Sequence, residues 1–369
     1  MGRVNLMERV DDIMKKLFKA LLCILLALLI AVGGYLAYVF IDYHRLDDHL
    51  ALEVVRAAQG EAESSTPYRI VSWNIGFGAY EDDYGFFMDG GTQSWAWSKE
   101  RLSANLARIA DTINTQDADL LLVQEIDLDS TRSYHFNELE MLEDALTARY
   151  DRTAAQNYDS PFLFYPFTQP HGASRSCIAT FSAFAIDSAL RRSLPIEGGF
   201  MKFLDLDRCY SLSRIPVQNG KELVLYNLHL SAYTSDGTIA TEQLKMLLAD
   251  MQSEFEAGNY CIAGGDFNKD LLGDSSVYFG AADQEYSWAQ PIPPETFDGF
   301  DITLVAPLDE DDPVPSCRNA DGPYHEGQYV LTVDGFLVSP NVEVLESQVL
   351  DEAFRCSDHN PVYMDFILS

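Results

Sequence analysis

The sequence predicts an α/β protein whose folded body holds two sheets, preceded by one helix that spans a membrane. Three observations carry this reading. A strand, a helix and a second strand follow one another within about 55 residues, from Arg69 to Val123, the alternation of an α/β body. The run Leu120-Leu121-Leu122-Val123 is apolar without a break, which implies a strand covered on both faces. Residues 20–41 hold 22 positions and no charge, which makes about 33 Å of helix, enough to cross a bilayer.

Taken in order, residues 1–16 form a short basic tail and residues 17–41 the membrane helix. Arg3, Arg9, Lys15, Lys16 and Lys19 precede the apolar run, while Asp42, Asp47 and Asp48 follow it. That asymmetry places the tail in the cytoplasm and the rest of the chain outside, as a single-pass protein of the cell membrane with an extracytoplasmic domain. A signal peptide cleaved near Ala31-Val32-Gly33 is the competing reading. The apolar run is longer than a signal core, which favours a retained anchor. Cys23 follows Leu22 rather than a small residue, so it carries no lipoprotein signal. Residues 42–66 are polar with scattered Leu and Val and read as a partly helical stalk. The globular domain is expected over 67–369.

Within that domain, residues 69–73 alternate as a strand ending at Asn74, and 80–97 form a loop rich in Gly and aromatic residues. Ser98 is an N-cap for a helix to Ile113, with Leu102, Leu106 and Ile109 on one face. The second strand, 119–123, ends at Gln124-Glu125. A helix over 137–149 leads into a loop rich in Phe, Tyr and Pro. Strands follow over 177–186, 200–206 and 222–230, the last with Tyr226 and His229 near its end. A helix over 241–256 turns Leu244, Leu247, Leu248 and Met251 inward. The run 260–263 reads as a buried strand closed by Gly264-Gly265, a pair that lets the chain turn and delivers Asp266 and Asn268 to one edge. Residues 270–330 are mostly loop, 331–338 a strand carrying Asp334, and 362–368 the last strand, after Asp358-His359-Asn360-Pro361.

Charge narrows the function. The chain has 25 Lys+Arg against 57 Asp+Glu, a formal charge of −32. Residues 1–45 hold six bases and four acids, which leaves 19 against 53, or −34, for the remainder. Nucleic-acid affinity rests on Lys and Arg meeting phosphates, so so acidic a domain is a poor generic binder of DNA or RNA. The same charge suits a divalent-cation site. The six cysteines show no C-x-x-C spacing, which argues against zinc. Cys177 and Cys261 lie in apolar runs as buried thiols. Cys317 and Cys356 lie in polar loops and are candidates for a disulfide in an oxidising compartment.

Five strand ends thus present Asn74, Glu125, His229, Asp266 with Asn268, and Asp358 with His359. No G-x-S-x-G turn, P-loop or G-x-G-x-x-G after a strand is present. Carboxylates, carboxamides and imidazoles without a covalent nucleophile point to metal-assisted attack by water, with a hard cation held by oxygen ligands. In sequence order, Ser72-Trp73-Asn74, Val123-Gln124-Glu125, Asn227-Leu228-His229-Leu230, Gly265-Asp266-Phe267-Asn268, Val333-Asp334 and Ser357-Asp358-His359-Asn360-Pro361 resemble the motifs of the endonuclease/exonuclease/phosphatase superfamily. That group includes pancreatic-type deoxyribonucleases, abasic-site endonucleases, bacterial sphingomyelinases and inositol polyphosphate 5-phosphatases. The resemblance runs from about Arg69 to the C-terminus.

The resemblance implies a four-layer α/β sandwich, with two facing mixed sheets flanked by helices, and a role for each matched residue. Glu125 would be the principal ligand of Mg²⁺, or of Mn²⁺ in its place, with Asn74 and Asp358 near the metal or its waters. Asp266 would take a proton from the attacking water, and Asn268 would hold Asp266 and a phosphate oxygen. His359 would donate to the phosphoryl oxygens, and Asp334 would fix its tautomer. His229 matches a second histidine of the deoxyribonuclease and sphingomyelinase branches. Arg132, His171, Arg175 and Tyr226 are candidates for substrate contact; Tyr226 also fits a core position and Arg132 an exposed one. Trp95 and Trp97 fit packing. The chain shows no recognisable lipid-entry element and no basic groove for duplex DNA. The expected protein is a monomeric, membrane-anchored, Mg²⁺-dependent phosphoesterase, with a small or lipid phosphoester ahead of nucleic acid. The alternatives are an extracytoplasmic endonuclease or exonuclease, and a non-catalytic surface module that binds without hydrolysing.

Overall fold

The computed structural model describes residues 2–196, 198–199, 202, 206–232, 238–280 and 288–369. It divides into two units, Met1–Arg45 and Leu46–Ser369. The first is the helix α1 (Gly2–Asp42). Its stretch Met7–Asp42 is long and apolar enough to cross a membrane, and most of its large apolar side chains are exposed.

The second unit runs through β1 (Leu50–Ala51), β2 (Pro67–Asn74), α2 (Lys99–Asn114), β3 (Leu120–Asp127), α3 (Glu138–Ala145), β4 (Asp151–Leu163), β5 (Gly172–Ser182), β6 (Ser188–Ser193), β7 (Cys209–Pro216) and β8 (Glu222–His229). It continues through α4 (Thr238–Glu256), β9 (Tyr260–Asp266), α5 (Ser276–Phe279), β10 (Thr303–Val305), β11 (Cys317–Arg318), β12 (Val330–Leu331), β13 (Asp334–Val338), β14 (Val342–Val349) and β15 (Val362–Leu368). The two large sheets have the orders β1-β6-β7-β8-β9-β13-β10 and β14-β15-β2-β3-β5-β4, and β11 pairs with β12 separately. Both large sheets are mixed. β2 and β3 are parallel, as are β8 and β9, and the remaining pairs are antiparallel.

Alternation along β3 shows why two sheets must face each other. Leu120 and Leu122 pack with Ile70, Ile262, Phe336 and Met364 between the sheets. Leu121 and Val123 point the other way and pack with Leu102, Leu106, Ile109 and Ile113 of α2. Both faces of this strand are covered, as its unbroken apolar run requires. On the outer face of the other sheet, Leu244, Leu247, Leu248 and Met251 of α4 cover Val224, Cys261 and Ala263. The layers are therefore helix, sheet, sheet, helix. Ser98 caps α2 by accepting the Arg101 N–H at 3.2 Å.

The structure corrects two sequence readings. Residues 46–66 are not a partly helical stalk. They run extended over the folded unit, with β1 paired to β6, Ala62 fully buried, and the Ala57 and Ala58 N–H groups both donating to Asp151 at 2.8 Å. The segment after α3, read as loop, is a long hairpin of β4 and β5. Its Phe, Tyr and Pro residues gather at the tip. The strand expected over 200–206 falls largely outside the described residues.

The two glycines before Asp266 serve different ends. A Cβ on Gly264 would lie 2.7 Å from Phe336 and 2.8 Å from Leu122, so this glycine lets the sheets approach. Gly265 has φ +144°, and a Cβ there would lie 2.0 Å from the Leu228 carbonyl oxygen on the neighbouring strand. Gly265→Ala combines backbone strain with a clash that neither strand can relieve. It is expected to cost about 3 kcal/mol, read as a thermal midpoint lowered by roughly 5 °C or more.

Candidate active site

Parallel pairing puts the ends of β2 and β3 side by side in one sheet and those of β8 and β9 side by side in the other, with His229 opposite Asp266. Antiparallel β13 starts at the same level, with Asp334 opposite Asp266. Asp358 and His359 arrive on the loop before β15. All eight matched residues therefore lie at one end of the sandwich.

Asn74 joins the two sheets. Its Nδ2 donates to Glu125 Oε1 at 3.2 Å and to Asp266 Oδ2 at 3.0 Å, while its Oδ1 accepts the Gly76 N–H. Asp266 is the hub: Oδ2 lies 3.5 Å from His229 Nε2 and 3.8 Å from His359 Nε2. Its Oδ1 accepts the Asn268 N–H at 2.8 Å. The side-chain amide of Asn268 donates to the Leu230 carbonyl, so Asn268 holds Asp266 through its main chain. Asp334 Oδ2 lies 2.8 Å from His359 Nδ1 and also accepts the Ser316 hydroxyl at 2.8 Å. That bond places the Nδ1 proton toward Asp334 and leaves Nε2 facing Asp266.

The electrostatics follow from burial. Burial pushes Asp266 up to about 7, helped by Asp334 and opposed by His359 and by the Asn268 N–H. Burial also raises Glu125 and Asp358, and the Asp358 charge raises Glu125 further, against Arg132 and Asn74. Burial alone would lower His359, but Asp334, Cys317 and Asp266 beside it hold the imidazole well above its ordinary value. His229 is driven well below, by burial and then by Arg208 and His359. Their surroundings thus push the two imidazoles in opposite directions.

Three raised carboxylates, two of them (Glu125 and Asp358) still partly open to solvent, form an oxygen-rich group. That donor set fits a hard divalent cation. Asp266, Asp334 and His359 also bring ligand atoms within 4.8 Å of one another. There, however, Asp334 Oδ2 is already engaged by Ser316 and His359.

The candidate substrate contacts fare differently. Tyr226 is fully buried under α4 among Leu244, Leu248 and Met251. Alternation puts it on the face of β8 opposite His229, away from the site. Arg132 is not exposed: it makes a bidentate pair with Asp127 at 2.9 and 3.0 Å and stacks on Phe77 at 3.9 Å. His171 is buried against Phe86 and Phe87, with Nδ1 3.2 Å from the Ser94 carbonyl oxygen; burial and Arg132 lower it to about 4. Arg175 is half-exposed beside Asp129. Trp95 donates to the Pro170 carbonyl and packs on Tyr134, while Trp97 donates to Asp83. All six cysteines are free thiols; Cys317 Sγ lies 3.5 Å from His359 Nε2 instead of pairing with Cys356.

Several residues that shape the site were given no role by the sequence reading. Ser316 sits in a proline-rich loop. Ser357 donates to the Asn74 carbonyl and accepts the His359 N–H. Arg208 is buried beside His229, with one guanidinium N–H donated to the His229 carbonyl at 3.4 Å and, among the described residues, no carboxylate partner. A buried arginine in an acidic chain would be the sole clue.

Residues 71–359 match the profile of the Endonuclease/Exonuclease/phosphatase family. The chain belongs to that family. Among solved structures, a member of the endonuclease/exonuclease/phosphatase family from Beutenbergia cavernae has 17% identity and a TM-score of 0.54, over 82% of this chain and 72% of that one. ANGEL2, a 2′,3′-cyclic phosphatase solved with adenosine-2′,3′-vanadate, has 18% identity and a TM-score of 0.54, over 88% of this chain and 99% of its own. A family protein from Leptotrichia buccalis has 16% identity and a TM-score of 0.51, over 80% and 98%. At these identities the structures share the endonuclease/exonuclease/phosphatase fold. No curated protein sequence matches the chain.

Proposed function

We propose that this protein is a membrane-anchored phosphoester hydrolase that uses Mg²⁺, with Mn²⁺ as a substitute, to drive in-line attack of water on a phosphodiester or phosphomonoester. The observation that carries the reading is the convergence on Asp266 Oδ2 of Asn74, His229 and His359 within 3.0–3.8 Å, beside Glu125. Glu125, Asn74 and Asp358 would hold the cation. When bound, it supplies charge that stabilises the phosphoryl oxygens and the leaving group.

The chain's own residues do the rest. Asp266 accepts a proton from the attacking water, and Asn74 and the Asn268 N–H fix the carboxylate so that one oxygen faces the site. His359, oriented by Asp334, donates from Nε2 to a phosphoryl oxygen as negative charge gathers there. His229, kept neutral, accepts or shares a hydrogen bond without adding a competing charge. Arg208 behind it contributes positive potential. A substrate of small or lipid phosphoester type suits the −34 charge of residues 46–369 better than nucleic acid does.

The test uses the full chain in detergent with bis-p-nitrophenyl phosphate and Mg²⁺. Glu125→Gln keeps the side-chain shape and removes the charge. It is expected to abolish the calorimetric signal of Mg²⁺ binding and to lower kcat/KM by roughly 10²-fold or more. Mg²⁺ binding indifferent to Glu125→Gln would refute this site, and a wild type that binds without hydrolysing would leave a binding module.

A further inference from the structure

The hairpin of β4 and β5 ends in a group of aromatic side chains turned outward. Phe164, Tyr165 and Phe167 are 51%, 63% and 84% exposed, and Met88 on the adjoining loop is 64% exposed. The group is continuous: Phe87 meets Tyr165 at 5.7 Å, and Tyr165 meets Phe167 at 5.9 Å. A cluster of large apolar groups held in water is ordinarily a contact surface. No Asp, Glu, Lys or Arg lies between Asp159 and Arg175, in a chain of net charge −32. The tip is thus a neutral spot on an acidic body.

Its position matters more than its composition. β5 pairs Ser176 with Asp127 at the end of β3, two residues past Glu125, and then continues to Gly172, carrying the tip about 13 Å beyond Asp127. The tip therefore lies at the site end of the sandwich. So does the point at which the chain enters the folded unit. Leu46 donates its N–H to Asp207 and accepts the Ser193 hydroxyl, and Asp48 accepts the Ser193 N–H. Ser193 pairs with Cys209, next to the strand end that carries His229. Only residues 43–45 separate the end of α1 from Leu46, a span of at most ~14 Å.

We propose that the aromatic tip docks on the bilayer that α1 spans, so that the mouth of the site faces the lipid headgroups and lipid-borne phosphoesters come within its reach. The proposal rests on the membrane-anchored phosphoesterase reading above. Aromatic side chains favour the headgroup level of a bilayer. The absence of charge on the tip selects a neutral surface, since the acidic body is repelled by anionic lipid.

The test is bromolipid quenching of the full chain in phosphatidylcholine vesicles. Phe167→Trp places a fluorophore at the tip, and Gln218→Trp places one in the exposed turn between β7 and β8, at the opposite end. Relative to the parent chain, the added fluorescence at 167 is expected to fall roughly twofold in brominated vesicles, and that at 218 to stay unchanged. A chain that floats with the vesicles yet shows no quenching at 167, or equal quenching at both positions, overturns the docking while the anchor stands. A chain that does not float overturns it through the anchor. Flotation with an unquenched tip and concentration-dependent dimerisation also overturns it, and assigns the tip to a second copy. Hydrolysis of bis-p-nitrophenyl phosphate by the parent chain, measured alongside, reports the chemistry separately.

Discussion

His359→Ala is expected to lower kcat/KM for bis-p-nitrophenyl phosphate by about 10³-fold, the loss typical of removing one preorganised donor from a developing oxyanion. The imidazole is built for that role. Its Nδ1 side is held by Asp334, itself fixed by Ser316, its carbonyl accepts the Trp73 indole N–H, and its own N–H is donated to Ser357. Nothing about the ring is left to be ordered during the reaction. Alanine also leaves the buried Asp334 carboxylate with one partner fewer, which costs about 1–3 kcal/mol of stability. The thermal midpoint must therefore be measured beside the rate. His359→Asn separates the two effects, since its amide stands where Nδ1 stood and can still donate to Asp334, while nothing is left at the Nε2 position to act on the phosphoryl group. Its midpoint should return toward wild type and its rate should not. A rate loss under tenfold in either variant would show that the imidazole takes no part in the chemistry.

Arg132→Met is expected to give the largest loss of stability, about 3–5 kcal/mol, because it strands a fully buried charge. Asp127 is inaccessible, and its carboxylate faces the Arg132 guanidinium through two hydrogen bonds and the Ser176 hydroxyl through a third. Glu138 lies in the same pocket, accepting the Asp127 N–H, and burial together with the Asp127 charge pushes it well above the usual carboxylate range. The midpoint should fall by roughly 10 °C. Arg132→Met combined with Asp127→Leu should recover most of that loss, because the double variant strands no charge. A single variant within 2 °C of wild type would refute the account, in the sense that the ion pair is then not what holds this loop.

These two residues show what could be read without the fold. His359 stood out because Asp358-His359-Asn360-Pro361 has few bland explanations and recurs with other motifs in a fixed order. Arg132 was visible only as a base seven positions after Glu125, which suggested a hand for phosphate. The structure gives that hand to Asp127, a residue no pattern marked. Tyr226 was misplaced for a related reason. Its spacing from His229 is odd, so the two side chains leave the strand on opposite faces, but the strand's limits had to be known before that count meant anything. The hairpin of β4 and β5 was hidden because Pro, Phe and Tyr at its tip read as loop, while its arms carry polar residues that pair across strands and give no apolar alternation.

The sequence by itself determined the class of the fold, the ends of the strands around the site and the identity of the groups that gather there. Periodicity and chain punctuation are local, and each motif keeps its meaning whatever surrounds it. Only the tertiary structure decided which charges are paired, in which direction each imidazole is pushed, and which end of the sandwich the chain enters. Those outcomes depend on distances of 2.7–3.5 Å between residues up to 296 positions apart, and on burial, which no single segment controls.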